Sequence, residues 1–171
     1  IGDEIDITSC RCQTHFHISA ADGNPSAGKV ISDIFKHADI SQEVYSTFYY
    51  TNCLKFEPPG RIAATIPTQY YKHFRFLLAH EIARVQPKVI VIMGAKTVGL
   101  LMGPKPKITE MMGTVMRLPD LSFLGERFPL HSEVDSGAYV ICTSSHRAIL
   151  HNNFIIADSA EDFKKVMDVK D

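Results

Sequence analysis

The sequence predicts a three-layer α/β/α sandwich around a central, mainly parallel four-stranded sheet, formed by one domain over residues 1–171. Strand-like runs alternate with amphipathic helical stretches, which is the pattern of βαβ units. Two of the runs are continuously apolar, as strands covered on both faces are. The length, 171 residues with 45% hydrophobic and 22% charged side chains, is that of one ordinary globular domain.

Residues 1–7 read as the end of a first strand, and Ile1 in place of Met leaves room for a preceding stretch. The run "SAGKVISDIFKHADI" (26–40) reads as a helix with Val30, Ile31, Ile34 and Phe35 on one face. The run "EVYSTFYYTN" (43–52), rich in aromatic and β-branched residues, reads as a second strand. A helix over 68–85 places Phe74, Leu77, Leu78, Ile82 and Val85 inward. The runs "QPKVIVIMG" (86–94) and "GAYVICTSS" (137–145) read as two buried strands, separated by a Gly- and Pro-rich loop or hairpin over 102–137. The last helix, 159–169, opens on Ser159 and Asp162 at capping-box spacing. In such a sheet ligands bind beyond the carboxyl ends of the strands, where Asn52, Gly94 and Ser144-Ser145-His146 fall.

Bulk properties exclude several classes. The net charge of -1 gives no global basic field, so any nucleic acid must be held by a local patch. No apolar run reaches the roughly 20 residues that span a membrane, and no signal peptide is visible. Cys53 and Cys142 sit in apolar runs and read as small buried hydrophobes. Without a disulfide framework, the expected compartment is reducing and intracellular, cytoplasmic or nuclear.

The motif-bearing stretch is "YYTNCLKFEPPGR" (49–61), followed by "FLLAHEIARVQPKVIVIMGAKT" (76–97). Together with "GNPSAGKVISDIF" (23–35), these resemble the uracil-DNA glycosylase superfamily, closest to its iron–sulfur bacterial and archaeal branch. That family reads T-N-x-x-K then P-P-G-N-R, and later K-P-x-V-I-V-x-L-G-A. Here stand Thr51, Asn52 and Lys55, then Pro58, Pro59, Gly60 and Arg61. The likeness spans about residues 23 to 155. The family's G-E-A-P-G motif has a remnant in Ile1-Gly2-Asp3-Glu4, without the P-G. Its His-Pro-Ser motif is matched by His146 followed by Arg147, and an alternative alignment puts Ser145 at the His position.

The resemblance implies a DNA glycosylase acting on a flipped uracil or related pyrimidine, with DNA as partner. It also implies a role for each matched residue. Asn52 would read the base, since its amide offers both acceptor and donors; its bland alternative is an Asn that satisfies backbone groups at a strand end. His146 would donate to the developing anion at O2, or else cap the helix or touch phosphate. Asp3 or Glu4 would hold the attacking water beside an oxocarbenium-like state, or else form a solvated acidic stretch. Ser144 and Ser145 would line the base site. Lys55, Arg61, Lys96 and Arg147 would contact phosphates. The stacking Phe of the family is replaced by Ser26, with Phe16 and Tyr50 as candidates for its place.

The branch's cluster cysteines are not reproduced, and His73 stands where one is expected, so no iron–sulfur cluster and no other cofactor is predicted. Cys10, Cys12, His15 and His17 carry zinc-type donors, but strand period would put the cysteines on one face and the histidines on the other; no metal site is assigned. The departures from the family pattern keep a second hypothesis in play: a catalytically lapsed member of the fold that binds DNA or a protein partner.

Overall fold

The computed structural model describes residues 27–53, 67–102, 107–118 and 137–170. Residues 1–26, 54–66, 103–106, 119–136 and 171 therefore lie outside it, and with them Asp3, Glu4, the cysteine–histidine stretch 10–17, Lys55 and Arg61. The described elements are helices α1 (Ala27–His37), α2 (Gln42–Tyr45) and α3 (Thr68–Val85), strand β1 (Val89–Met93), helices α4 (Ala95–Leu101) and α5 (Ile108–Met111), strands β2 (Val115–Arg117) and β3 (Tyr139–Thr143), and helices α6 (His146–His151) and α7 (Ile155–Lys170).

The mixed α/β architecture is present, but its sheet is not the expected one. Among the described residues it has three strands in the order β1-β3-β2. β1 and β3 run parallel in the register Val89 opposite Tyr139 to Met93 opposite Thr143. β2, which lies in the segment 102–137 read as a loop or hairpin, is antiparallel to β3. The predicted strand over 43–52 is replaced by a helical turn, α2, and by a single bridge at Asn52. Local hydrogen bonds explain the replacement. Ser41 caps α2 through its hydroxyl, and the Ser46 and Thr47 hydroxyls donate back to Glu43 O at 2.8 Å and Val44 O at 2.7 Å. Hydroxyls that bond nearby carbonyls favour turns over sheet ladders. The strand expected in residues 1–7 lies outside the described residues.

Alternation along β1 and β3 sends side chains to two cores. Ile90, Ile92, Val140 and Cys142 pack with Leu78, Ala79 and Ile82 of α3 and Val98 and Leu101 of α4. On the other face Met93 and Ile141 pack with Val30, Ile31, Ile34 and Phe35 of α1, Ile149 of α6, and Phe163 and Val166 of α7. Helices thus cover both faces of the sheet. Phe35 centres the second core, stacked on Tyr45 at 4.8 Å and edge-on to Phe48 and Phe163. Aromatic pairs in these geometries add about 0.5–1.5 kcal/mol each beyond burial.

Two helical expectations need correction. Leu77 and Val85 of α3 are exposed: Leu77 lies beside the stripe of Leu78 and Ile82 that meets the sheet, and Val85 is the last residue of the helix. α7 begins at Ile155, so Ser159 and Asp162 are not its cap. They are buried on its inner face beside Ala160 and Phe163.

Beside β1 a cavity of about 370 Å³ opens, lined among others by Phe35, Phe48, Tyr50, Glu81, Val89 and Val91. Its walls are mostly apolar, and Asn52, Ser144 and His146 are not among them.

Candidate functional site

The carboxyl ends of β1 and β3 are joined by Gly94 N–H donating to Thr143 O at 3.2 Å. Gly94 has φ 95 and forms the N-cap of α4, a backbone shape that glycine adopts without strain. From this edge the chain runs into α4, which carries Lys96 and Thr97, and from β3 into Ser144-Ser145-His146. Cys53 is tied to the same place: its thiol donates to Thr97 Oγ1 at 3.1 Å, and Thr97 donates on to Met93 O at 3.3 Å. Asn52 therefore sits beside the first turn of α4, at the carboxyl edge of the sheet.

Asn52 is 1% exposed, and its side-chain oxygen Oδ1 is buried with no hydrogen-bond partner among the described residues. A buried carbonyl left in this state costs about 1–3 kcal/mol, and such atoms are rare in native folds unless they have a use. The neighbouring Thr51 is satisfied, its hydroxyl donating to Glu81 Oε2 on α3 at 2.7 Å.

Across the edge, Ser145 is the N-cap of α6, its Oγ accepting from Ala148 N–H at 3.2 Å. That bond uses one acceptor lone pair of the Ser145 hydroxyl and leaves its O–H as a donor. His146 opens α6 and is buried, Ser144 is buried, and Arg147 is half-buried. Lys96 is exposed in the first turn of α4. Tyr50 is engaged in the second core: its hydroxyl donates to Tyr45 O at 2.7 Å and its ring meets Phe48. Burial raises its pKa above the ordinary tyrosine value, so it stays a neutral donor. The alternative stacking residue, Phe16, lies outside the described residues.

Behind the Ser144 turn is a polar cluster that the sequence did not announce. Asp162 of α7 is 5% exposed and lies 3.6 Å from Lys165 Nζ. Lys165 also donates to Gly113 O at 2.7 Å, and Gly113 N–H donates to Cys142 O at 3.0 Å. Burial lifts the Asp162 carboxyl above its ordinary value, against the lowering effects of Thr143 and Lys165. The Thr143 hydroxyl is near enough to ease that charge but misses full hydrogen-bond geometry, and its Oγ1 stays unsatisfied. Burial, and secondarily Asp162, pushes the Cys142 thiol up to about 11. The signal for this cluster was the helical period of α7, which puts Ser159 and Asp162 on the same face as Phe163 and Val166. No comparable signal marked Glu81 or Thr97, whose partners are distant in the chain.

A family model described as the uracil DNA glycosylase superfamily matches residues 11–168, nearly the whole chain. The chain belongs to the uracil DNA glycosylase superfamily. A comparison with curated proteins finds no match. Membership in the uracil DNA glycosylase superfamily makes a glycosylase-type function, and DNA as its partner, the general reading of the carboxyl edge. Among the described residues no helix is long and apolar enough to cross a membrane. The superfamily likeness was legible in the Thr51-Asn52 motif, and the structure sets that motif at the sheet edge where α4 and the Ser144 turn begin.

Proposed function

We propose that the chain is a monofunctional DNA glycosylase that hydrolyses the N-glycosidic bond of uracil, or of a related modified pyrimidine, after the base is flipped from the stack. The observation that carries this reading is the buried Oδ1 of Asn52, which has no hydrogen-bond partner among the described residues. The N3–H of uracil is a donor of the kind that atom lacks, and the Asn amide nitrogen can donate to O4 at the same time.

In this reading water adds its oxygen to C1′ as the bond from C1′ to the base nitrogen breaks. The electron pair of that bond passes into the base and onto O2, where His146 donates a hydrogen bond. One observation supports His146 for this role: it is buried at the start of α6. Ser145 Oγ accepts from Ala148 N–H as the cap and keeps its own O–H as a donor. Asp3 or Glu4 holds the water, stabilises the positive charge on the sugar and accepts the proton that the water loses, while the released base anion takes up a proton from solvent. Ser144 and Ser145 shape the base site, and Lys55, Arg61, Lys96 and Arg147 hold phosphates.

Asn52→Asp tests the base assignment. A carboxylate in place of the amide accepts from the N4 amino group of cytosine and repels O4 of uracil. Uracil excision should fall and cytosine excision rise in single-turnover assays on matched oligonucleotides. Unchanged uracil excision would remove Asn52 from the site.

A second reading, a lapsed member of the fold that binds DNA or a protein partner, is favoured by one observation: Arg147 follows His146 where the family has Pro. Under it, Arg147→Ala weakens DNA binding and lowers the salt slope by about one unit, with no excision to lose.

A further inference from the structure

The three residues around the base-reading position are anchored from both sides by helices that do not themselves reach the base in the proposed reading. On one side Thr51 Oγ1 donates to Glu81 Oε2 of α3 at 2.7 Å. On the other, the Cys53 thiol donates to Thr97 Oγ1 of α4 at 3.1 Å, and Thr97 is fixed in turn to Met93 O at the end of β1. Cys53 and Thr97 are fully buried and Thr51 is nearly so. Between these anchors Asn52 carries the one side chain of the three whose oxygen is left unsatisfied.

The chemistry of an amide makes this frame matter. Turning an Asn amide by half a turn exchanges its acceptor and its donors. Uracil presents an acceptor at O4 beside a donor at N3, whereas cytosine presents a donor at N4 beside an acceptor at N3. One Asn therefore reads either base, according to how its amide lies. The amide turns about its own Cβ–Cγ bond. What the backbone sets is where the amide meets the base. A backbone held in place leaves only the uracil-reading turn of the amide within hydrogen-bond reach, so that a polar group facing the wrong partner rejects the wrong base.

We propose that Glu81 and Thr97 are specificity-positioning residues, holding the backbone at residues 51–53 so that Asn52 keeps the edge that reads uracil and rejects cytosine. The proposal rests on the base-reading role given to Asn52 above. Neither residue touches the base; each acts through the neighbour it grips.

The test compares single-turnover release of uracil and of cytosine from oligonucleotides identical except at that base, with the full chain and four variants. Glu81→Ala and Thr97→Val should each lower the uracil-to-cytosine ratio about tenfold, chiefly by raising cytosine release. Glu81→Gln keeps an acceptor for the Thr51 hydroxyl and should hold the ratio near the wild-type value. Thr51→Val removes the same bond while leaving Glu81 in place, so it serves if Glu81→Ala fails to fold, and it should reproduce the loss. A merely structural role would slow both bases together and leave the ratio unchanged; that result overturns the proposal. If the wild-type chain releases neither base, the role of Asn52 falls and the anchoring falls with it. If it releases uracil and Glu81→Ala and Thr51→Val discriminate as well as wild type, the anchoring alone is wrong.

Discussion

Replacing Asn52 with an apolar residue should cost the fold little or stabilise it, which is unusual for a residue that is 1% exposed. Folding strips water from Oδ1 and gives it no donor among the described residues in return. Removing that atom recovers about 1–3 kcal/mol. Two opposing terms bound the result. Asn52→Leu keeps the branch at Cγ but adds bulk, and overpacking costs about 1–3 kcal/mol. Asn52→Ala avoids the bulk and leaves a small void. Neither variant should therefore fall more than about 1 kcal/mol below wild type, and the better packed of the two should rise above it. For a domain of this size each kcal/mol moves Tm by roughly 2–4 °C, within reach of calorimetry or a urea titration. The backbone bridge at Asn52 survives both substitutions, so the comparison isolates the side chain. A loss of more than about 2 kcal/mol in both variants would show that Oδ1 has a donor in the folded protein. The argument that it awaits one from the substrate would then fail.

Two further outcomes concern the polar cluster behind the Ser144 turn. Asp162 has a folded pKa raised above 3.8, so it binds its proton more tightly folded than unfolded. Its contribution favours the fold at low pH and is lost as pH rises from 3.8 through the raised value; Lys165, Asp158 and the Cys142 thiol are the groups coupled to it. Asp162→Asn should therefore gain stability relative to wild type as pH climbs across that window in urea titrations, and parallel curves would refute the assignment. Gly113 has φ +70, and a Cβ there would stand 2.9 Å from Asp162 Oδ1 and 3.1 Å from Lys165 Nζ. Gly113→Ala should cost about 1–2 kcal/mol for the left-handed backbone, and more if the carboxylate must move; an unchanged urea midpoint would contradict both terms.

The parts of the fold that the sequence revealed are those decided by local pattern. α3 runs over the residues its periodicity predicts, bounded by Pro67 before it and by left-handed Gln86 after it. β1 and β3 follow from their Val- and Ile-rich runs, which have a helical layer on each side. The segment 43–52 misled because its aromatic and β-branched residues suit a strand. Three short hydroxyl side chains, Ser41, Ser46 and Thr47, bond within the segment instead and close a helical turn. Ser159 and Asp162 misled in the opposite way: a spacing that marks a helix start was in fact the buried face of a helix begun four residues earlier. β2 has only three residues within a Gly- and Pro-rich stretch, too short for alternation to show.

In the proposed site, Asn52 and His146 are taken from motif. The grip on Asn52 is not, since the Thr51–Glu81 pair spans 30 residues of sequence and the Cys53–Thr97 pair spans 44. Such contacts exist only once α3 and α4 have packed on the sheet. The unsatisfied state of Oδ1 is likewise a property of the packed fold and has no trace in composition or spacing.

The measurement that bears most directly on the central claim is release of free base from an oligonucleotide carrying a single uracil, followed by mass spectrometry of the base and by alkaline cleavage of the abasic strand. The wild-type chain should release uracil and leave an alkali-labile site at that position alone, and folded Asn52→Leu should release none under the same conditions. Intact substrate with folded wild-type protein, or equal release by Asn52→Leu, would contradict the account.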